Sequence, residues 1–361
     1  MHRRSRSWLT AIMLFGATLF AAAQQPVVDR DPVPSPDPDP AITAPGTSEQ
    51  QGPLSTVERS GGTYTLHTEV GEVRLNTAVL ENGHPVQNVP KDAFHVYEDG
   101  VPQTILSFRH EDLPVSLGIL IDNSGSMYDK RAAVDKSALD LVRLSNSKDE
   151  AFLVDFSDEA FIDQDFTHDV EKLKAALSYV KPAGGTAIYD TVIASADYLA
   201  KNAKLPKQVL LLITDGDDNA SGSTLEEAIR RVQELDGPTI YCVGLLFGED
   251  SNKAESRHAR RVLETLAAQT GGIAYFPRKL SEVDEIAAEV ADDIRQQYTI
   301  TYRSTKPASL GGYRQIRVEA KAKGFGKLDV RTRTGYFPKG SAPNEKTQPA
   351  NLAPGSKHPG E

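Results

Sequence analysis

The chain has little cysteine: Cys242 stands alone among 361 residues, so no intrachain disulfide can form and no cysteine near the N-terminus can carry a lipid. Stability outside the cytoplasm would then rest on packing and metal. A second long apolar run is also missing, since nothing after residues 8–23 is apolar enough to span a bilayer. Catalytic signatures are absent too. There is no His-Glu-x-x-His, no Gly-x-Ser-x-Gly elbow and no phosphate loop ending in Gly-Lys-Ser or Gly-Lys-Thr, and the eight histidines are scattered. A hydrolase reading therefore lacks a base, and a non-enzymatic reading takes precedence. The formal charge of −10 comes with basic residues interspersed among acids, which argues against a nucleic-acid stripe or a polybasic membrane patch.

What is present begins with a leader. His2, Arg3, Arg4 and Arg6 precede an uncharged apolar run over residues 8–23 that ends in Ala21-Ala22-Ala23. That order predicts a signal peptide over residues 1–23 and a secreted or periplasmic destination. Cleavage after Ala23 and retention as an anchor both stay open; cleavage leaves no integral membrane span. Residues 24–62, rich in Pro, Asp, Ser and Gly, read as a disordered linker, and residues 339–361 read as a disordered tail.

Between these ends the hydrophobic period changes twice. Residues 63–112 alternate with period two, as at Val73, Leu75 and Phe94, Val96, with turn signals at Glu81-Asn82-Gly83 and Asp99-Gly100. Residues 297–338 do the same through Tyr298, Ile300 and Tyr302, then Ile316, Val318 and Ala320. Each β segment is too small to bury a core alone. The prediction is one immunoglobulin-like sandwich built from both flanks, with the middle of the chain inserted into it.

Residues 113–296 follow strand–helix grammar. Apolar runs at residues 116–121, 208–214 and 240–246 read as strands, that at 208–214 as a central one buried on both faces and that at 240–246 as another buried one. Val134, Ala138, Leu141 and Val142, then Val170, Leu173 and Leu177, which Thr167 can cap, then Val262, Leu263 and Leu266, then Ile286, Val290 and Ile294, sit at helical spacing. The fold class expected is α/β: a doubly wound, mostly parallel sheet with helices on both faces, beside the small all-β domain. Cys242 falls in one of the apolar strands and reads as a buried, inert thiol.

Three pieces of polar sequence lie where strands end or helices begin: Asp122-Asn123-Ser124-Gly125-Ser126, Gly184-Gly185-Thr186 and Thr214-Asp215-Gly216. In an open α/β sheet the carboxyl ends of the strands are where ligand groups collect. Taken alone, a Ser or Asp after a strand is more often a helix cap than a ligand.

Together, Asp122-x-Ser124-x-Ser126 with Thr186 and Asp215 resembles the metal ion-dependent adhesion site of von Willebrand factor A domains. The resemblance spans roughly residues 113–296. Phe94-x-Val-Tyr-Glu-Asp-Gly and Arg331-x-Arg-x-Gly-Tyr-Phe337 more loosely resemble flanks of bacterial relatives. It implies that Ser124, Ser126 and Thr186 coordinate one divalent ion through hydroxyls while Asp122 and Asp215 act mainly through water. Mg²⁺ is the first choice, with Mn²⁺ or Ca²⁺ as alternatives. Neutral hydroxyls would leave the ion electrophilic, ready for a Glu or Asp of a protein partner. Gly125, Gly185 and Gly216 would let the loops approach the ion. Two other readings stay open: a site that serves stability alone, and a metal-independent scaffold in an envelope assembly.

Two weaker metal patterns compete. Asp215 to Ser221 with Glu226 partly fits a calcium-loop spacing but has Ala220 where the turn wants glycine, and Ser223 with Glu226 reads better as a capping box. Asp163-x-Asp165 with His168 is weaker still. His168 and His258 read as surface residues on helices.

Overall fold

The computed structural model describes residues 71–144, 146–178, 182–247 and 254–339, and the backbone alone of 57–60, 63–66 and 353–354. The expected leader, most of the expected linker and nearly all of the expected tail lie outside the described residues. Short strands β1 (Val57–Ser60) and β2 (Thr63–Leu66) pair with each other.

The first flank supplies β3 (Glu72–Glu81), β4 (His84–Pro85), β5 (Phe94–Glu98), β6 (Val101–Gln103) and β7 (Ile105–Arg109). Asn82 and Asp99 adopt positive φ beside Gly83 and Gly100, so both predicted turn signals close hairpins, β3–β4 and β5–β6.

The middle of the chain supplies the second architecture. Its strands are β8 (Val115–Asp122), β9 (Glu150–Phe156), β10 (Ala160–Thr167), β11 (Lys207–Thr214), β12 (Thr239–Gly244) and β13 (Ala274–Tyr275). They lie in the order β13-β12-β11-β8-β9-β10. All neighbours are parallel except β10, which returns antiparallel along β9. Every residue of β8 is buried, because helices cover both faces. Its period of two divides the core: Leu117, Ile119 and Ile121 join the layer with α1 (Arg131–Leu144), α2 (Val170–Leu177) and α6 (Val283–Arg295). Leu120 joins the layer with α3 (Ile188–Asn202), α4 (Leu225–Glu234) and α5 (Ala254–Thr270).

Two helix starts differ from the sequence expectation by one or two residues. Asp169, not Thr167, caps α2 by accepting from the Glu171 N–H; the Thr167 hydroxyl accepts from the Asp169 N–H two residues earlier. The capping box of α4 is Thr224 with Glu227, not Ser223 with Glu226. No helix among the described residues is long and apolar enough to cross a membrane.

The second flank returns as β14 (Tyr298–Arg303), β15 (Arg314–Ala320), β16 (Leu328–Arg331) and β17 (Gly335–Tyr336). β14 inserts between β3 and β7, and β15 pairs with β5, so each of two antiparallel sheets mixes strands of both flanks. Alternate residues Val73, Leu75, Val96, Ile300, Tyr302 and Val318 bury a common core. Inside it Arg314 meets Glu98, both almost wholly buried, and Tyr302, Ser304 and Tyr336 donate hydroxyls to the same carboxylate. The last short strand, β18 (Ala353–Pro354), lies along β10.

Candidate metal centre

The Asp122, Ser124, Ser126 and Asp215 side chains converge at the carboxyl edge of β8 and β11. Asp122 ends β8 and is fully buried. Its Oδ1 accepts from the Ser124 N–H at 2.8 Å and its Oδ2 from the Thr214 hydroxyl at 2.6 Å, which ties the ends of two adjacent strands together. Burial is the largest influence on this carboxyl and pushes its pKa up, with the nearby charge of Asp215 adding to the rise. Ser124 Oγ lies 3.1 Å from Ser126 Oγ, and the Ser126 hydroxyl donates to Asp215 Oδ1 at 2.8 Å.

Thr186 reaches the same edge from the loop before α3. Its N–H donates to Asn219 Oδ1 at 2.9 Å and its carbonyl accepts from the Asn219 N–H at 3.0 Å, which fixes this loop to the one after β11. Its hydroxyl lies 3.6 Å from the place a Cβ would occupy on Gly216, next to Asp215.

The glycines divide differently from the sequence expectation. Gly125 stands in open space and Gly216 makes ordinary contact only. Gly184, at φ +86°, and Gly185 carry the constraint: a Cβ on Gly185 would stand 2.6 Å from Asn219 Oδ1 and 2.8 Å from Asp158 Oδ1. Asp158 accepts from the Gly185 N–H at 2.8 Å, so the close approach secures the Thr186 loop.

Neither weaker metal pattern gathers its acids. Asp217 faces His258 on α5 at 2.6 Å; Asp218 accepts from the Tyr189 N–H and the Ser221 hydroxyl; Asn219 serves Thr186. Asp163 accepts from the Asp155 N–H and Asp165 from the Tyr198 hydroxyl. His258 is half-buried and paired, and His168 precedes α2 rather than lying on a helix, with its Nδ1 2.6 Å from the Asp149 carbonyl oxygen. Among the described residues no three His, Cys, Asp or Glu side chains form a metal-binding group. The candidate centre is thus a set of hydroxyl oxygens around two carboxylates.

Three features went unseen in the sequence. Lys130, at the start of α1, forms an ion pair with Asp215. Asn219 bridges two loops. Arg131 braces the first loop from beneath, donating to Asn123 Oδ1 at 3.0 Å while pairing with Asp135 and buried Asp155. Burial pushes the Asp155 carboxyl up to about 7 despite Arg131. Cys242 is fully buried and its thiol pKa is pushed up by burial, so it carries no thiolate chemistry.

The donor set fits a hard divalent ion. Asp122, Ser124, Ser126, Thr186 and Asp215 all offer oxygen, which suits Mg²⁺, Mn²⁺ or Ca²⁺ and not a thiolate-type zinc site. Two carboxylates set close together at one sheet edge also call for positive charge, which Lys130 supplies here in part.

These residues lie in a domain of known class. Residues 117–217 match the family model of the von Willebrand factor type A domain, and the chain carries a domain of that family. No curated protein matches the chain by sequence. Solved structures similar to it include a von Willebrand factor type A protein from Catenulispora acidiphila, at 15% identity over 74% of this chain and 75% of that one with a TM-score of 0.43. Proximal thread matrix protein 1 of the mussel byssus matches at 18% identity over 52% of this chain, with a TM-score of 0.42. The chain spans about half the length of that protein, 49%. The von Willebrand domain of the type V pili tip protein Mfa5 from Porphyromonas gingivalis matches at 15% identity over 51% of this chain and 97% of that one, with a TM-score of 0.39.

Proposed function

We propose that this chain is an exported, non-enzymatic recognition protein in which Asp122, Ser124, Ser126, Thr186 and Asp215 hold one divalent cation, Mg²⁺ first, that captures a Glu or Asp side chain of a protein partner. The observation that carries this reading is the convergence of Asp122, Ser124, Ser126 and Asp215 on one sheet edge, with Thr186 tied to it through Asn219. Ser124, Ser126 and Thr186 bring no charge, so a cation seated among them would keep most of its attraction for an incoming carboxylate. The family match supports a protein-interaction role. In this reading residues 113–296 form the recognition domain and residues 63–112 with 297–338 its immunoglobulin-like support. In the same reading the expected leader over residues 1–23 carries the protein out of the cytoplasm.

Calorimetric titration with Mg²⁺ and Mn²⁺, with Asp122→Ala as the control, tests it. One ion bound per chain, lost in the variant, is the expected result. Absence of binding in the wild type, tested also with a carboxylate-bearing peptide present, would leave the metal-independent scaffold as the better reading.

A further inference from the structure

Lys130 lies outside the five-residue pattern, yet its ammonium meets Asp215 at the centre of the site. The Asp215 side chain has no exposed surface, whereas 21% of the Lys130 side chain is exposed, so a buried carboxylate receives its counter-charge from an arm that comes in over the rim. The other Asp215 oxygen takes only a neutral hydroxyl, from Ser126. Asp122, the second buried carboxylate, is likewise served by neutral donors, the Ser124 N–H and the Thr214 hydroxyl. An unpaired buried charge is strongly disfavoured, which explains why the ammonium is drawn in.

The arm is anchored at its base. The Lys130 N–H donates to the Met127 carbonyl at 2.9 Å, and the Lys130 carbonyl accepts from the Ala133 and Val134 N–H groups, so the turn that presents Ser126 also fixes the foot of Lys130. Above that foot a flexible four-carbon stem carries a compact point charge that can leave one acceptor for another. The Phe247 ring, 5.8 Å from the ammonium, offers a face attractive to a cation at the rim.

We propose that Lys130 is the built-in counter-cation of this site: its ammonium neutralises Asp215 when no divalent ion is present and must withdraw from that carboxylate when one binds, so Lys130 sets the affinity for the metal. The inference rests on the metal-site reading above. A divalent ion among Ser124, Ser126 and Asp215 would stand close to the ammonium, and two cations on one carboxylate repel. Binding in the wild type is therefore an exchange of cations. The exchange holds affinity down and keeps the empty site from carrying two uncompensated carboxylates.

Calorimetric titration of the full chain with Mn²⁺ tests the inference, comparing wild type, Lys130→Gln, Lys130→Arg and Asp122→Ala. Lys130→Gln should bind about fivefold more tightly, the worth of one partly screened ion pair. Lys130→Arg, which keeps the charge, should return the affinity towards the wild-type value, and Asp122→Ala should not bind. A second readout needs no variant: amine-reactive labelling of wild-type Lys130, followed by peptide mass spectrometry, should rise when Mn²⁺ is added. Equal or weaker Mn²⁺ affinity in Lys130→Gln, or labelling that Mn²⁺ leaves unchanged while the ion binds, overturns the counter-cation role and leaves the metal site standing. Absence of Mn²⁺ binding in both wild type and Lys130→Gln overturns the metal site itself and this inference with it.

Discussion

The buried pair Arg314–Glu98 offers a sharp test of how the two flanks hold together. Arg314 is 1% exposed and Glu98 2%. One guanidinium nitrogen, Nη1, shares its two hydrogens among Glu98 Oε1 at 3.3 Å, Ser304 Oγ at 2.8 Å and the Lys306 carbonyl at 2.8 Å, while Nη2 donates to the Pro307 carbonyl at 2.7 Å. Glu98 comes from the first flank and all its named partners from the second. Arg314→Met removes the positive charge and leaves a carboxylate in the core with hydroxyl donors alone. Breaking a buried pair from one side costs about 3–5 kcal/mol. At about 2–4 °C per kcal/mol for units of this size, the melting temperature should fall by roughly 6–20 °C. Adding Glu98→Gln should recover part of that loss, because an amide tolerates burial better than an unpaired carboxylate. Urea and thermal unfolding followed by circular dichroism measure both. A loss below about 1 kcal/mol in Arg314→Met would refute the reasoning, since the pair would then be no stronger than one on the surface.

Two further predictions concern stability. Thr224→Ala removes the α4 capping box and should cost about 1 kcal/mol, read by urea denaturation; an unchanged midpoint would mean that Glu227 does not depend on it. Burial pushes the Lys207 ammonium down to about 8, with Asp293, Asp112 and Asp149 partly offsetting the effect. The unfolded chain keeps that proton to its ordinary value near 10.5 while the folded chain releases it earlier, so this group's contribution makes stability rise as pH climbs from about 8 to 10.5. Lys207→Met should remove that rise, of roughly 3 kcal/mol at most. Parallel stability–pH curves for the two proteins between pH 8 and 10.5 would contradict it.

The parts of the fold legible in the sequence were those with a strong local period. The continuous apolar run of β11, the helical stripe of α6 and the Asn82-Gly83 turn each declare themselves within a few residues. β10 did not, because its residues are half-buried on both sides and its aspartates look like a loop; only pairing with β9 defines it. At α4 two Ser/Thr-x-x-Glu patterns overlap one residue apart, and the path of the chain into the helix chooses Thr224. In the candidate site, the approach of Asp122, Ser124, Ser126 and Asp215 to one another was legible because the five-residue pattern has constrained residue types at fixed spacing. Lys130 was not, since a lysine near a helix start is common and its meeting with Asp215 spans 85 residues. Asn219 and Arg131 escaped notice for the same reason: each serves backbone or side chains of a distant loop.

The connections between the two architectures lie at the edge of the large sheet opposite the site. β7 leads into β8, and α6, whose Ile294 carbonyl accepts from Lys207 at the start of β11, leads into β14. β7 and β14 are themselves paired, Arg109 opposite Thr299, so the chain goes out and comes back through adjacent strands. A tug on a partner held at Ser126 would thus arrive on both strands at the same end and in the same sense. Their shared ladder would then feel no sliding of one strand past the other. The load would pass sideways into β3, where six residue pairs from Tyr298–Thr77 to Arg303–Glu72 resist it in shear, all at once, rather than opening one hydrogen bond at a time.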